Sequence, residues 1–309
     1  MKIFDCFTFF NELELLEFRL KILSPYVDYF ILVESNITFR GNEKPFYFNP
    51  NYSIFQPYIH KIIHLKYENK PQITKPNDYS LEIQQRNYIT KGLEQSNVCQ
   101  ENDIIIIADL DEIPNPDILK QLKTNSILAK NNLLKLHRIF RKNNSKLKSY
   151  YKYFLLLNKY YSNSSIIDIL NITPISLYQN YYYYYVNYLH PDKWCGSVIS
   201  FYKNMKTPQK LRDLRRRLPI IKNGGWHFAY MGGISRIKKK VNSTVDENSN
   251  RNINKIYSEE YIKKCLKNGS LIYDYQNQNS HVFTKVSIES LQIPNIKEFI
   301  KKYPDFYLE

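Results

Sequence analysis

Residues 101–116, ENDIIIIADLDEIPNP, decide how the rest of the chain is read. Ile104 to Ile107 follow one another without a polar break, and Ala108 carries the apolar run into Asp109, Leu110, Asp111 and Glu112. A short unbroken apolar run suits a strand covered on both faces, as in a parallel sheet. Asn115 then offers an N-cap oxygen, Pro116 a pre-set first helical residue and Asp117 a first-turn negative charge, so a helix is expected to start there. The carboxylates therefore stand where a buried strand stops and the chain turns, which in open α/β sheets is where ligands bind.

Asp109 and Asp111 are two residues apart, so on an extended chain they lie on one side. Their charges repel. Mg²⁺ or Mn²⁺ would offset the repulsion, because hard cations take carboxylate oxygens together with substrate phosphates. Asp-x-Asp alone fits either such a metal site or a solvated acidic turn. Glu112 points to the other side of an extended chain from Asp111 and stays outside the expected metal shell.

Upstream, Ile3 to Phe10 reads as a first buried strand, and Asn11 with Glu14 as a capping box for the helix that follows. Tyr29 to Val33 is a second strand ending at Glu34, and His60 to Leu65 a weaker third. Ser80 to Glu94 reads as one helix carrying Arg86 and Asn87. Strands alternating with helices imply a mostly parallel sheet with right-handed crossovers. At its strand end, Glu34 suits either a ribose or base contact or a capped turn.

Downstream, Leu133 to Phe140 reads as a strand, Tyr151 to Ile175 is ambiguous between helix and strand, and Leu177 to Leu189 suits a strand by its tyrosines. A tyrosine row can stack on sugar rings, but more often it is core with an amphipathic rim. Trp194-Cys195-Gly196 opens a short motif. Gln209 to Leu218, QKLRDLRRRL, reads as a solvated basic helix or as cations near a diphosphate, and no nucleic-acid partner is expected. Residues 224–233, GGWHFAYMGG, hold four of the chain's eight glycines, which implies close backbone approach or unusual dihedrals around a short strand. There His227 reads as a core histidine or a metal ligand. After Lys240 a polar loop and a mostly helical tail are expected, broken at Pro294 and Pro304.

At 309 residues the chain is long enough for a sizeable core, and its 28 tyrosines argue against disorder. A formal net charge of +15 favours anionic partners, nucleotide diphosphates included. The four cysteines form no C-x-x-C pair, which argues against a disulfide framework or a structural zinc site. No leader or membrane span is visible, so a soluble, cytoplasmic protein is expected.

The motifs IFDCFTFFNELELLEFRL, VDYFILVESNITFRGNEKPFYF, QRNYITKGL, IIIIADLDEIPNP and NGGWHFAYMGG together resemble glycosyltransferase family 17, that of the β-1,4-mannosyl-glycoprotein β-1,4-N-acetylglucosaminyltransferases. The resemblance runs from the N-terminus to about Gly233. It implies a GT-A-type, Rossmann-like fold, with residues 1–240 as the catalytic domain, divided into a nucleotide-sugar half (1–125) and an acceptor and metal-completing half (126–240) with an insertion near 141–175. Residues 241–309 would be a tail packing on that domain. It implies a UDP-sugar donor, N-acetylglucosamine by family, a glycan acceptor and Mn²⁺ or Mg²⁺. Carried over by position, Glu34, Arg86, Asn87 and Asp109 would contact the donor, and Asp109, Asp111 and His227 the metal. Trp194 and Trp226 are the tryptophans expected at the acceptor.

Transfer of a sugar from a nucleotide leaves a diphosphate, and a metal at Asp109 and Asp111 would neutralise the charge that grows on the leaving oxygen. An inverting transfer also needs a base for the acceptor hydroxyl, for which Glu247, Asp246 and Asp213 are the candidates. Two rival readings exist. A haloacid-dehalogenase-like phosphatase also ends a strand in Asp-x-Asp, but that motif normally opens the chain, and here a complete β-α-β unit precedes Asp109. The other is a non-enzymatic basic protein that binds carbohydrate or nucleic acid through its tyrosines.

Overall fold

The computed structural model describes residues 1–72, 75, 78–95, 98–126, 133–134, 165–245, 258–273 and 282–309. The isoleucine run is a strand, β4 (Ile104–Asp109), and it lies next to β1 (Ile3–Phe9), which is buried along its whole length. β1 leads through α1 (Leu13–Leu23) to β2 (Tyr29–Ser35), and a 3₁₀ segment, Asn49–Lys61, leads on to β3 (Ile62–Tyr67). Helices α2 (Ser80–Asn87) and α3 (Ile89–Gln95) then return the chain to β4. These four strands pair in the order β3-β2-β1-β4, all parallel. Their alternate residues feed two separate cores, which is what burial on both faces requires. Ile104 and Ile106 join Phe7 and Phe30 beneath α1, whereas Ile105 and Ile107 join Cys6, Ile31 and Leu93 on the other face.

β5 (Glu112–Pro114) follows β4 after only Leu110 and Asp111, and α4 (Pro116–Thr124) starts beyond it, its Asn115 side chain accepting from the Asp117 amide at 3.0 Å. Next come β6 (Leu133–Leu134), α5 (Ile166–Leu170), β7 (Ile175–Tyr183), β8 (Tyr188–Phe201), α6 (Pro208–Asp213), β9 (Ile220–Ile221) and β10 (Gly225–Ala229). From β4 the sheet continues β8-β7-β10-β5, with β8 antiparallel to both its neighbours and β5 antiparallel to β10. Strands adjacent in sequence, β4 and β5, thus end up four places apart in the pairing order. The sheet curls around the turn that joins them, giving a mixed α/β architecture with one wholly parallel block.

Gly225 makes this closure possible. Its φ is +134°, and a Cβ there would lie 2.1 Å from the Ile113 carbonyl oxygen. Only glycine lets β10 approach β5 so closely. Then α7 (Gly233–Ser243), α8 (Glu259–Asn268), β11 (Thr284–Lys285) and α9 (Ile296–Lys302) complete the described chain. Phe299 of α9 packs on Phe18 of α1, ring centroids 4.6 Å apart, so this part of the tail joins the main core.

Several elements differ from the sequence reading. The single helix expected over Ser80–Glu94 is two, broken at Tyr88. The strand expected over Leu177–Leu189 is a hairpin between β7 and β8, turning at Tyr184 with φ +67°. The Asn11–Glu14 capping box does not form: Glu12 is the N-cap residue and makes no side-chain cap bond, and Glu14 pairs instead with Arg236 of α7. Helix α7 carries the chain three residues past Lys240 before the polar segment. The expected strand over 135–140 and the 141–164 part of the insertion lie outside the described residues. No helix among the described residues is long and apolar enough to cross a membrane.

Candidate active site

The strand order changes direction between β1 and β4, and at the carboxyl ends of these strands opens a cavity of about 900 Å³. Thr8, Phe9 and Phe10 of the β1 end, Thr38, and Gln85 and Arg86 of α2 line one part of it. Asp109 and Asp111 line it between them and an aromatic wall from β7, β8 and β10.

Buried arginines hold the acidic turn. Arg19 is fully buried on α1 and bonds both oxygens of Asp5 at 2.6 and 2.7 Å. Its Nη1 donates to the carbonyls of Asp109, Leu110 and Glu112 at 2.8–3.0 Å. This pairs backbone acceptors of the sharp turn, the Glu112 carbonyl also accepting from Ser197 Oγ at 3.2 Å. Leu110 points into the core, so its neighbours Asp109 and Asp111 face the cavity. Glu112 lies beneath them, taking two bonds from Arg212 (2.7 and 2.8 Å), one from Trp194 Nε1 (2.5 Å) and one from the Asp109 amide (3.0 Å). Gly196 makes room for it: a Cβ there would lie 2.5 Å from the Glu112 carboxyl.

The two aspartates differ in partners. Asp109 accepts from Arg86 at 2.8 Å on one oxygen and from Arg212 at 2.5 Å on the other. Burial opposes its charge, but Arg212 and Arg86 outweigh it and hold the carboxyl at about 2. Asp111 accepts from Lys240 at 2.6 Å on Oδ2, and its Oδ1 stands 3.6 Å from His227 Nε2, too far for a hydrogen bond. Burial works against this charge as well, and Lys240 and His227 bring the carboxyl well below the usual range. His227 stacks on Tyr181 (4.8 Å, 9° between planes) and packs on Trp194 (4.7 Å), while its buried Nδ1 makes no hydrogen bond among the described residues.

Of the residues singled out in the sequence, Arg86, Asp109, Asp111, Trp194 and His227 meet at this cavity. The others do not. Glu34 is fully buried under the β2 end, where it accepts from the Tyr47 and Phe48 amides and pairs with His64 and Lys44, so its carboxylate is used up inside the protein. Asn87 accepts from the Gln209 amide, away from the cavity lining. Trp226 packs into the main core on the face of β10 opposite His227, as adjacent residues of a strand must. Asp213 is exposed at the end of α6, bonded to Gln209, and off the cavity. Asp246 and Glu247 lie outside the described residues.

Both Asp109 oxygens are engaged by guanidinium groups, and no cluster of three or more His, Cys, Asp or Glu able to hold a metal exists among the described residues. The available donor set is Asp111 with His227. Two ligands of this kind suit Mg²⁺ or Mn²⁺ where substrate phosphates and water supply the rest.

Sequence reasoning missed Glu12, Lys44 and Lys240, which also line the cavity. Glu12 follows the β1 end at the switch point, which was the available signal. For Lys44 and Lys240 no local signal exists.

Residues 1–143 match the profile of glycosyltransferase family 17. Over 116 residues the chain is 28% identical to proteins named β-1,4-mannosyl-glycoprotein 4-β-N-acetylglucosaminyltransferase from Homo sapiens and Rattus norvegicus, covering 37% of this chain and 22% of each relative. The Mus musculus protein of the same name matches over the same span at the same identity. The match thus spans about a fifth of the length of these relatives.

Proposed function

We propose that the chain is a glycosyltransferase of GT-A type that transfers a sugar, N-acetylglucosamine by its relatives' name, from a UDP-sugar to a glycan hydroxyl with inversion. The observation that carries this reading is the position of Asp109 and Asp111: they sit at the switch point of a β3-β2-β1-β4 parallel block, in a cavity that a sugar nucleotide would fill. The family match covers this same half of the chain.

In this reading Asp111 and His227 hold Mn²⁺ or Mg²⁺, and the ion supplies Lewis-acid neutralisation of the departing diphosphate. Asp109, clamped by Arg86 and Arg212, is fixed in place and orients the donor rather than ligating the ion. The nucleoside lies toward Thr8, Phe10 and Gln85 at the β1 end, and Lys44 faces its phosphates. The Tyr181, His227 and Trp194 rings, together with Tyr230, form the wall on which sugar faces stack. Ser243 and Thr244 also line the cavity, and Asp246 and Glu247 follow them in sequence after Val245, which supports the latter pair as source of the base.

The test is a thermal-shift panel of nucleotide sugars with and without Mn²⁺, followed by a transfer assay on mannose-containing glycans. A UDP-sugar should raise the melting temperature only with the ion present. If no nucleotide sugar shifts it under either condition, the transferase reading is wrong.

A further inference from the structure

Lys240, on α7, reaches the acidic turn across the cavity wall. Its Nζ lies 2.6 Å from Asp111 Oδ2 and 3.3 Å from Glu12 Oε1, and the side chain is one-fifth exposed. The ammonium therefore occupies one oxygen of the carboxylate whose other oxygen faces His227. Glu12 gives it a second anionic partner at the β1 end of the same cavity. An ammonium shared by two carboxylates can release one and still be paired, so its movement leaves no isolated buried charge.

We propose that Lys240 is an exchangeable counter-cation of the donor site. In the free protein it neutralises Asp111. When a nucleotide diphosphate arrives with a divalent cation, Lys240 leaves Asp111 to the cation, stays tethered to Glu12 and donates to the diphosphate. Two consequences follow from charge alone. A divalent cation without nucleotide must compete with Lys240 for Asp111, so cation and nucleotide bind together. Once transferred, the ammonium faces the oxygens on which charge develops as the sugar departs. The inference rests on the donor-site reading given above.

The test is Mn²⁺ binding followed by electron paramagnetic resonance, with and without UDP, on the wild type and on Lys240→Met, Lys240→Arg and Glu12→Gln, each checked for native circular dichroism. Wild type should bind Mn²⁺ weakly alone and far more tightly with UDP. Lys240→Met should bind Mn²⁺ alone roughly tenfold more tightly than wild type, and its gain from UDP should shrink by at least that factor, leaving the part that comes from phosphate oxygens on the ion. Lys240→Arg should behave like wild type. Glu12→Gln should keep the fold and lose part of the gain, because the tether is gone. If Lys240→Met binds Mn²⁺ alone no better than a wild type that still shows UDP-dependent binding, the exchange is refuted and the donor site stands. A wild type whose Mn²⁺ binding ignores UDP removes the donor-site reading itself, and the exchange with it.

Discussion

Arg212 and Glu112, a hundred residues apart in sequence, form a buried two-bond ion pair directly beneath the cavity aspartates. The same guanidinium reaches Asp109 at 2.5 Å, so one side chain couples the two carboxylates. Arg212→Ala would leave Glu112 charged, buried and short of its main partner, at a cost of about 3–5 kcal/mol. Arg212→Lys keeps the charge but cannot bridge both carboxylates, and should fall between. Urea unfolding measures both; an alanine variant within about 1 kcal/mol of wild type would mean that the pair does not hold the turn.

The two aspartates should separate by function. Asp111→Asn removes the carboxylate shared by Lys240 and His227, and should lower Mn²⁺-dependent transfer by about 100-fold or more. Asp109→Asn instead leaves Arg86 and Arg212 without their common anion. It should weaken nucleotide binding and stability while Mn²⁺ affinity in the presence of UDP changes only a few-fold. Calorimetric titration of Mn²⁺ into each UDP-loaded variant decides the matter. Equal losses of Mn²⁺ affinity would return Asp109 to the metal shell.

Much of the N-terminal half was legible in the sequence because local patterns there agree with the fold. The unbroken isoleucines mark β4, the Asn115-Pro116 pair marks the start of α4, and strand-helix alternation gives the β3-β2-β1-β4 block. The other half was not, because its decisive relations are long-range. The β7-β8 hairpin turns within a run of tyrosines and carries no glycine or proline at Tyr184. Trp226 and His227 are adjacent, and only the pairing of β10 with β5 and β7 decides which faces the cavity. Glu34 stands at a strand end as a ligand-binding carboxylate would. Its partners, the Tyr47 and Phe48 amides, come from the chain that folds back over β2, and no local pattern announces them.

Trp194 has two separable duties, and two substitutions should divide them. Its indole N–H bonds Glu112 at 2.5 Å, while its ring packs on His227 and Tyr181. Trp194→Phe keeps a ring but leaves that Glu112 oxygen with Arg212 as its remaining partner, which should destabilise by about 1–3 kcal/mol with little change in acceptor KM. Trp194→Ala removes the platform as well and should raise acceptor KM roughly tenfold beyond the phenylalanine variant. Steady-state kinetics with a glycan acceptor distinguish them, and identical KM values would exclude the ring from acceptor contact.

Lys44 gives the site a pH signature on the alkaline side. Its side chain is nearly inaccessible and lines the cavity; burial pushes its pKa down from 10.5 to about 8, against the opposite pull of Glu34 and Glu12. Between about 8 and 10.5 the unfolded chain holds the proton and the native protein does not, so this residue's contribution to stability grows as pH rises through that window and is a penalty below it. Donor binding should run the other way. A diphosphate favours the charged lysine, so UDP affinity should be highest below pH 8 and fall as pH rises toward 9.5, where Lys44 is neutral. Lys44→Met should bind UDP more weakly at pH 7 and lose most of this decline, and its unfolding free energy should lose the rise above pH 8. Calorimetric UDP titrations with Mg²⁺ across this range provide the measurement. A wild-type affinity that stays level from pH 7 to 9.5 would take Lys44 out of contact with the phosphates.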